Sequence, residues 1–145
     1  MKVLFDTNVV LDVLLEREPH VDAAARLFSL VDNGNLEGSV CATTATTVFY
    51  IAARSFGTKR AQTQVRDLLG LFDVATVDRD VLARALDLDF DDFEDAVLHE
   101  AAVAGGMSAI VTRDRGGFSK ATLPVFDPHE LLAAVTAAST TTSGG

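Results

Sequence analysis

The chain has few of the residues that crosslink small proteins or bind zinc. It contains one cysteine, three histidines and no tryptophan in 145 residues. The lone Cys41 cannot form an internal disulfide, and its place in an apolar, β-branched segment favours buried packing over a nucleophilic role. The histidines lack the spacing of metal ligands. The sequence therefore excludes a disulfide scaffold and gives no reason to expect a zinc protein.

The sequence also lacks an apolar run long enough to cross a bilayer. The longest mainly apolar stretch, residues 101–111, is interrupted by Gly105 and Gly106, whereas a spanning helix needs about 20 such residues. At the start of the chain, Asp6 comes too early for the apolar region of a signal peptide. We therefore expect a cytoplasmic protein with no membrane span.

Positive charge is scarce in this chain. Lys and Arg total 12 against 21 Asp and Glu, which gives a formal net charge of −9. This balance argues against nucleic-acid binding through a broad basic surface, because phosphate binding relies on Lys and Arg. It is compatible with acids concentrated in a metal site while a few cations contact a nucleic-acid backbone. The candidate cations are Arg54, Lys59, Arg60, Arg113 and Arg115.

The sequence does contain enough apolar residues for one packed domain. Hydrophobic residues make up 48% and charged residues 23%, as in ordinary soluble proteins, and the length is that of a single domain. The last residues are rich in Ser, Thr and Gly. We predict one domain over residues 1–137 and a disordered tail over residues 138–145.

Short apolar runs alternate with helical patterns, which predicts repeated βαβ units and a parallel sheet in an α/β fold. Gly34 and Gly38 are expected to bracket a turn, and Gly70 to end a helix. Predicted strands cover residues 2–5, 39–42, 73–77, 109–112 and 124–126. Predicted helices cover residues 9–15, 21–31, 46–54, 60–69, 81–86, 93–104 and 130–137. In the helix over 93–104, the face with Phe93, Val97, Ala101 and Ala104 is expected to pack inward.

Acidic residues follow two predicted strands and open one predicted helix. Asp6 ends the first strand, and Asp114 lies just past the strand over 109–112. Ligands of an open parallel sheet bind outside the carboxyl ends of its strands, so these two acids are expected to share a crevice. Asp92 and Asp95 are three residues apart, a spacing that puts both on one face of a helix. We predict that the four acids form one cluster.

Carboxylates brought together repel one another, and a crevice of low dielectric raises the cost of keeping them ionised. A hard dication such as Mg²⁺ or Mn²⁺ relieves that repulsion, and an all-carboxylate site suits it. The chemistry that fits is metal-assisted phosphodiester hydrolysis. A structural alternative remains at each position, because acids also cap helices; Asp91 and Glu94 have the spacing of a capping box.

Three motifs, taken in order, resemble the PIN domain family, and more closely the VapC-type toxins of bacterial toxin–antitoxin pairs. The first motif is residues 5–12 (FDTNVVLD), the second is residues 92–96 (DFEDA), and the third is residues 110–114 (IVTRD). Gly117-Phe118 and the closing residues 128–132 (PHELL) add to the likeness. The resemblance extends from Met1 to about Leu132.

This resemblance implies a three-layer α/β/α sandwich with a central, mainly parallel sheet. It also implies a Mg²⁺- or Mn²⁺-dependent endoribonuclease acting on RNA, which forms homodimers and is neutralised by a cognate antitoxin protein. By motif, Asp6, Asp95 and Asp114 would be the metal-site acids, Asp92 a further contributor, and Asn8 and Thr112 supporting residues.

One position departs from the family pattern. Many members carry a glutamate on the helix after the second strand, where this chain has Thr47. A hydroxyl cannot replace the charge of a carboxylate. Two explanations remain open: Asp92 supplies the missing acid from the facing helix, or a second metal binds weakly and activity is reduced.

Other functions are compatible with parts of the pattern. A binding module that retains the fold without catalysis would act through RNA or a protein partner. A haloacid-dehalogenase-like phosphatase also has an acid after its first strand, but it needs a second Asp where this chain has Asn8. A receiver domain has its reactive Asp after a middle strand.

The aromatic residues Phe49, Tyr50 and Phe56 are assigned to the core, with a dimer interface as the alternative.

Overall fold

The structure is a computed structural model that describes the backbone of residues 1–144 and the side chains of residues 1–138. Its strands are β1 (Lys2–Phe5), β2 (Glu37–Cys41), β3 (Asp73–Ala75), β4 (Ala109–Val111) and β5 (Val125–Phe126). Its α-helices are α1 (Thr7–Leu14), α2 (Val21–Asp32), α3 (Ala42–Phe56), α4 (Thr58–Leu71), α5 (Arg79–Leu86), α6 (Phe93–Ala104) and α7 (Pro128–Gly144). A short 3₁₀ helix, η1, covers Arg115–Phe118.

The five strands form one parallel sheet in the order β3-β2-β1-β4-β5. From β1 the chain moves outward through β2 to β3, then crosses to the other side of β1 for β4 and β5. The strand order therefore reverses between β1 and β4, and in open α/β sheets this switch point is where ligands bind. The predicted α/β fold with a parallel sheet is confirmed.

Helices cover both faces of the sheet because its strands are apolar on both sides. Val3 and Phe5 of β1 belong to the core cluster formed with α1, α2, α3, α4 and α7, and Leu4 belongs to the one formed with α5 and α6. On the first face the Phe5 and Phe72 rings pack edge-on, with centroids 4.9 Å apart. The structure thus has the three α/β/α layers that were predicted, and none of its described helices is long and apolar enough to cross a membrane.

Three predictions about element boundaries are wrong, and side-chain packing explains one of them. Gly38 lies within β2 instead of in a turn. The position requires glycine because a Cβ there would come within 2.7 Å of the Phe72 ring. Gly70 lies inside α4, which ends at Leu71. Helix α3 begins at Ala42, directly after β2, instead of at residue 46. The earlier start brings the first turn of α3 to the end of the sheet.

Helix α6 matches its predicted bounds, but only Val97 and Ala101 of its predicted inward face are buried. Phe93 and Ala104, at its two ends, are exposed, whereas every residue from 96 to 102 is buried. This helix packs against β1, β2, β4 and α5 and is surrounded in its middle turns. A helix buried on all sides has no single apolar face, so helical spacing could not identify one.

The end of the chain differs from the prediction of a tail from residue 138. Helix α7 continues to Gly144, past the predicted end at residue 137. Between Pro128 and Gly144 the chain has neither proline nor glycine to interrupt a helix. Gly145, the last residue of the predicted tail, lies outside the described residues.

Candidate active site

Three of the predicted site acids lie at the switch point of the sheet. Asp6 follows β1 directly, and Asp114 comes three residues after the end of β4, the strand beside β1. Asp95 lies in the first turn of α6. The parallel register pairs Phe5 with Val111, so both strands end at the same edge. The structure therefore brings Asp6 and Asp114 together, as the strand pattern predicted.

Asp6 is fixed by hydrogen bonds to both of its carboxylate oxygens. The Thr7 amide donates to Oδ1 at 2.7 Å. The Thr112 hydroxyl donates to Oδ2 at 2.7 Å, and the Asn8 side-chain amide donates to the same oxygen at 3.3 Å. Only 7% of the Asp6 surface is exposed. A carboxylate held this way has one defined orientation, which a metal ligand requires.

Thr112 and Asn8 connect the ends of the two central strands. The Asn8 side-chain amide donates to Thr112 Oγ1 at 3.3 Å, and the Asp114 backbone amide donates to the same hydroxyl oxygen at 3.0 Å. Asn8 Oδ1 in turn accepts from the Arg113 backbone amide at 3.3 Å. The two predicted supporting residues thus link Asp6 to the segment that carries Asp114.

Asp95 and Asp114 face the same small space in front of η1. A Cβ built on Gly117 would lie 2.7 Å from Asp95 Oδ2 and 3.2 Å from Asp114 Oδ2. The Gly117 amide also donates to Asp114 Oδ1 at 3.3 Å. The missing side chain of Gly117 is what leaves room for both carboxylates.

The pKa values of Asp95 and Asp6 are raised by burial and by the charges of neighbouring acids. Burial first, then the charges of Asp6, Asp92, Asp114 and Glu94, raises the pKa of Asp95 to about 7. Burial likewise raises the pKa of Asp6, assisted by the charges of Glu94 and Asp114, while the hydrogen bonds from Thr112 and Thr7 oppose this shift. Without a compensating positive charge, Asp95 holds a proton up to near neutral pH. A bound cation would supply that charge.

The start of α6 differs from the predicted arrangement of its acids. Asp92, not Asp91, caps the helix: its Oδ1 accepts from the Asp95 backbone amide at 2.9 Å, so the predicted Asp91–Glu94 capping box is wrong. Asp92 is exposed, and its charge contributes to the raised pKa of Asp95. Glu94, which was assigned a capping role, raises the pKa of both Asp6 and Asp95. Glu94 is exposed and acts on these two acids through its charge.

Helix α3 contacts the site through Thr44. The Thr7 and Thr44 hydroxyls are 2.9 Å apart, and Thr44 is fully buried beside the segment that follows Asp6. Thr47, one turn further along, is half-buried. The earlier start of α3 explains why the sequence did not single out Thr44: its position depends on β2 leading directly into the helix.

The described residues contain no group of three or more His, Cys, Asp or Glu side chains already close enough to hold one ion. The chemistry of the donor set nevertheless fits a hard dication. It consists of carboxylates only: Asp95, whose pKa is raised to about 7, and Asp114 border the space that a Cβ at Gly117 would fill, and the charge of Asp6 acts on Asp95. The side chains that would hold such an ion are Asp6, Asp95 and Asp114.

The cations nearest the site are already paired with acids. Arg113, which adjoins Asp114, donates from Nε and Nη2 to the fully buried carboxylate of Asp12, at 2.5 and 3.1 Å. Two further pairs are formed by Arg115 with Glu130, at 2.8 Å, and by Lys120 with Asp89. Of the cations proposed to contact a nucleic-acid backbone, Arg113 and Arg115 are therefore partly neutralised.

Comparison with known proteins gives one family match and several structural matches. A model of the PIN domain family matches residues 2–116. No curated protein matches the sequence. Chains of known structure share the fold at low sequence identity, so they support the architecture only.

Three structural matches illustrate this likeness. A chain of a toxin–antitoxin complex from Klebsiella pneumoniae is 22% identical, with 89% of this chain and 99% of that chain covered and a TM-score of 0.67. The sarcin–ricin-loop-cleaving toxin VapC20 from Mycobacterium tuberculosis is 14% identical, with coverages of 82% and 95% and a TM-score of 0.67. A chain of VapBC2 from Rickettsia felis, bound to a promoter DNA fragment, is 14% identical, with coverages of 88% and 98% and a TM-score of 0.66.

Proposed function

Because this chain belongs to the PIN domain family, we propose that it is a Mg²⁺- or Mn²⁺-dependent endoribonuclease. The observation that carries the proposal is that Asp95 and Asp114 share the space left open by Gly117, while Asp6, at the end of β1, interacts with both of them through its charge. Mutual repulsion among these acids favours a dication there. A bound dication supplies positive charge that offsets the negative charge developing on the scissile phosphate.

The residues around the acids have distinct proposed roles. Asp6 and Asp114 hold fixed orientations through Thr112, Asn8 and the Gly117 amide. Asp95 projects from α6 toward them. Because its pKa is raised to about 7, it is the acid that should lose a proton when a cation binds. Thr112 and Asn8 are positioning residues, since they contact the acids and not the space between them.

Glu94 is the best candidate for the acid that Thr47 does not supply. Its charge acts on both Asp6 and Asp95, which supports a role for it beside the cluster. Asp92, also predicted as a metal ligand, has one carboxylate oxygen committed to its own helix. We propose that Asp92 acts on the site through its charge, and that Glu94 is the fourth acid near the cluster.

The biological role we propose is that of a toxin neutralised by a cognate antitoxin. Support comes from the family and from structural matches that include a toxin–antitoxin complex and a ribonuclease toxin. We further propose a homodimer that acts in the cytoplasm. Tyr50 and Phe56, which were predicted to belong to the core, are exposed instead.

A cleavage assay with matched variants tests the proposed activity. Asp6→Asn, Asp95→Asn and Asp114→Asn should each lower Mn²⁺-dependent cleavage of a structured RNA by at least about a hundredfold, because each removes a carboxylate from the cluster. The control is Asp32→Asn, an exposed acid at the end of α2. Isothermal titration calorimetry with Mn²⁺ should show weakened metal binding in the same three variants and unchanged binding in the control.

One observation favours a second candidate, a binding module without catalysis: α3 has Thr47 where many members of the family have a glutamate. The same assays separate the two functions. Wild-type protein that binds no Mn²⁺ and cuts no RNA, yet forms a stoichiometric complex with a neighbouring gene's product, would establish the module. Cleavage that survives in both the Asp6 and Asp114 variants would contradict the proposed site.

A further inference from the structure

Charge is distributed very unevenly along this acidic chain. Residues 38–66 contain four cations, Arg54, Lys59, Arg60 and Arg66, and no Asp or Glu. With the whole chain at −9, the remaining residues therefore contribute −13. The segment covers most of β2, all of α3 and most of α4. The net charge of the whole chain therefore does not reveal this cationic segment.

Three of the cations gather at one corner of the molecule. Helix α3 ends at Phe56 and α4 begins at Thr58, so Gly57, with φ of +89°, is the only residue between them. Every residue from 54 to 60 is exposed. We call residues 50–60 the α3–α4 corner. Its cations Arg54, Lys59 and Arg60 are within three residues of the turn, and none forms a carboxylate ion pair in the described structure.

Aromatic rings lie among these cations. The Arg54 guanidinium carbon is 5.7 Å from the centroid of the Tyr50 ring, and that of Arg60 is 3.8 Å from the centroid of the Phe56 ring. Tyr50 is 63% exposed although it is a large aromatic residue. Cations together with exposed rings are what single-stranded nucleic acid requires, because the cations bind phosphates and the rings stack with bases.

The corner is connected to the candidate active site by a single helix. Thr44, in the first turn of α3, contacts Thr7 beside Asp6. Arg54 lies ten residues further along, about 15 Å at the rise of an α-helix. The cations closer to the acids, Arg113, Arg115 and Lys120, are paired with carboxylates. The unpaired charge available to a polyanion near the site is therefore at the corner.

We propose that the α3–α4 corner binds a single-stranded segment of the RNA substrate, several nucleotides from the bond that is cut. Arg54, Lys59 and Arg60 bind its phosphates, and Tyr50 stacks with one base. The inference rests on the proposed function for its ligand. Charge complementarity favours RNA over a second copy of this chain, since a copy would bring the same cations against themselves.

Binding to RNA without cleavage tests the proposal. The probe is a 5′-fluorescein-labelled 20-nucleotide single-stranded RNA of mixed sequence, with EDTA present, and the measurement is fluorescence anisotropy over a series of KCl concentrations. Arg54→Gln, Lys59→Gln and Arg60→Gln combined should raise Kd at least about tenfold and lower the slope of log Kd against log salt by about 2, as expected for three single-strand phosphates. Tyr50→Ala should raise Kd about fivefold or more without changing the slope.

The matched control is Arg79→Gln with Arg84→Gln, two exposed cations on α5. It should leave Kd and slope unchanged. Equal losses in control and corner variants, unchanged binding in the corner variants, or wild-type protein that does not bind the RNA would each overturn the proposal. So would a Tyr50→Ala protein that dissociates from dimer to monomer in sedimentation equilibrium with unaltered RNA binding, because the corner would then be a contact between copies.

The same experiment separates this inference from the proposed function. Corner variants that bind RNA normally while the wild type cleaves it would overturn the inference and leave the nuclease in place. Wild-type protein that binds RNA through the corner but never cleaves it would support the inference and contradict the nuclease. Binding in EDTA does not depend on the metal-site acids, so the two results are independent.

Discussion

Gly117 leaves open the space in front of Asp95, since a Cβ at this position would come within 2.7 Å of Asp95 Oδ2. The atom it would meet is the end of a side chain, so Gly117→Ala should displace the carboxylate without unfolding the protein. We expect kcat/KM for RNA cleavage to fall at least about tenfold, equivalent to about 1.4 kcal/mol, with thermal stability nearly unchanged.

The neighbouring glycine is a suitable control. A Cβ on Gly116 would be 3.5 Å from Asp114 Oδ1, an ordinary contact, so Gly116→Ala should retain activity. Equal activity of the two alanine variants would show that the Gly117 space does not matter for catalysis.

The raised pKa of Asp95 predicts how stability changes with pH in metal-free protein. Between its ordinary value of 3.8 and the raised value of about 7, the folded state binds a proton that the unfolded state has lost. Stability should therefore fall as the pH rises from about 4 to about 7 and then level off. Urea denaturation in EDTA at pH 5 and at pH 8 measures the difference.

Asp95→Asn should remove much of that pH dependence. The variant should be more stable than wild type at pH 8 by roughly 1–2 kcal/mol, a figure discounted because the carboxylate is partly open to solvent. At pH 4 the two proteins should be equally stable. A wild-type protein that becomes more stable between pH 5 and pH 8 would contradict the predicted repulsion.

Glu94 should affect the titration of the acids that face it. Because its charge raises the pKa of Asp6 and of Asp95, Glu94→Gln should lower both pKa values. Carboxyl-carbon NMR titration of metal-free protein measures each shift directly. Asp91→Asn is the control, since Asp91 does not contribute to the pKa shift of either residue, and a shift as large in that variant would argue against a specific role for Glu94.

The Asp12–Arg113 pair should contribute to both stability and activity. Asp12 is fully buried, so Asp12→Asn leaves the Arg113 guanidinium without its charge partner and should cost about 3 kcal/mol in the free energy of unfolding. Activity should fall as well, because the Arg113 backbone is tied to Asn8 beside Asp6. Asp22→Asn breaks the exposed pair with Arg26 and should cost less than 1 kcal/mol in the same urea titration.

Much of the fold could be predicted because it depends on local patterns. Buried parallel strands are short apolar runs, and their alternation with helices identified five strands and seven helices in the described structure. The places of Asp6 and Asp114 followed from the general position of ligands at strand ends. Boundaries such as the start of α3 could not be predicted, because the close packing of β2 against Phe72 determines where that strand lies.

The residues of the candidate site that the sequence analysis did not identify interact with partners far away in the chain. Thr44 acts through Thr7, and Gly117 through Asp95. Glu94 has the local appearance of a helix-capping acid, and only the effect of its charge on the pKa of Asp6 connects it with the cluster. Phe93 repeats at helical spacing with Val97 yet is exposed. In each case the deciding neighbour is far away in the sequence.

The sequence by itself determined the α/β class and the family and pointed to three candidate acids, because periodicity and motif spacing are properties of the chain. Only the tertiary structure decided which side chains act on those acids, which cations are already neutralised by carboxylates and which remain exposed at the α3–α4 corner. The physical reason is that electrostatic interaction and steric exclusion depend on distance in space, and that distance is set by the crossing of the chain from β3 to β4, which places β4 beside β1.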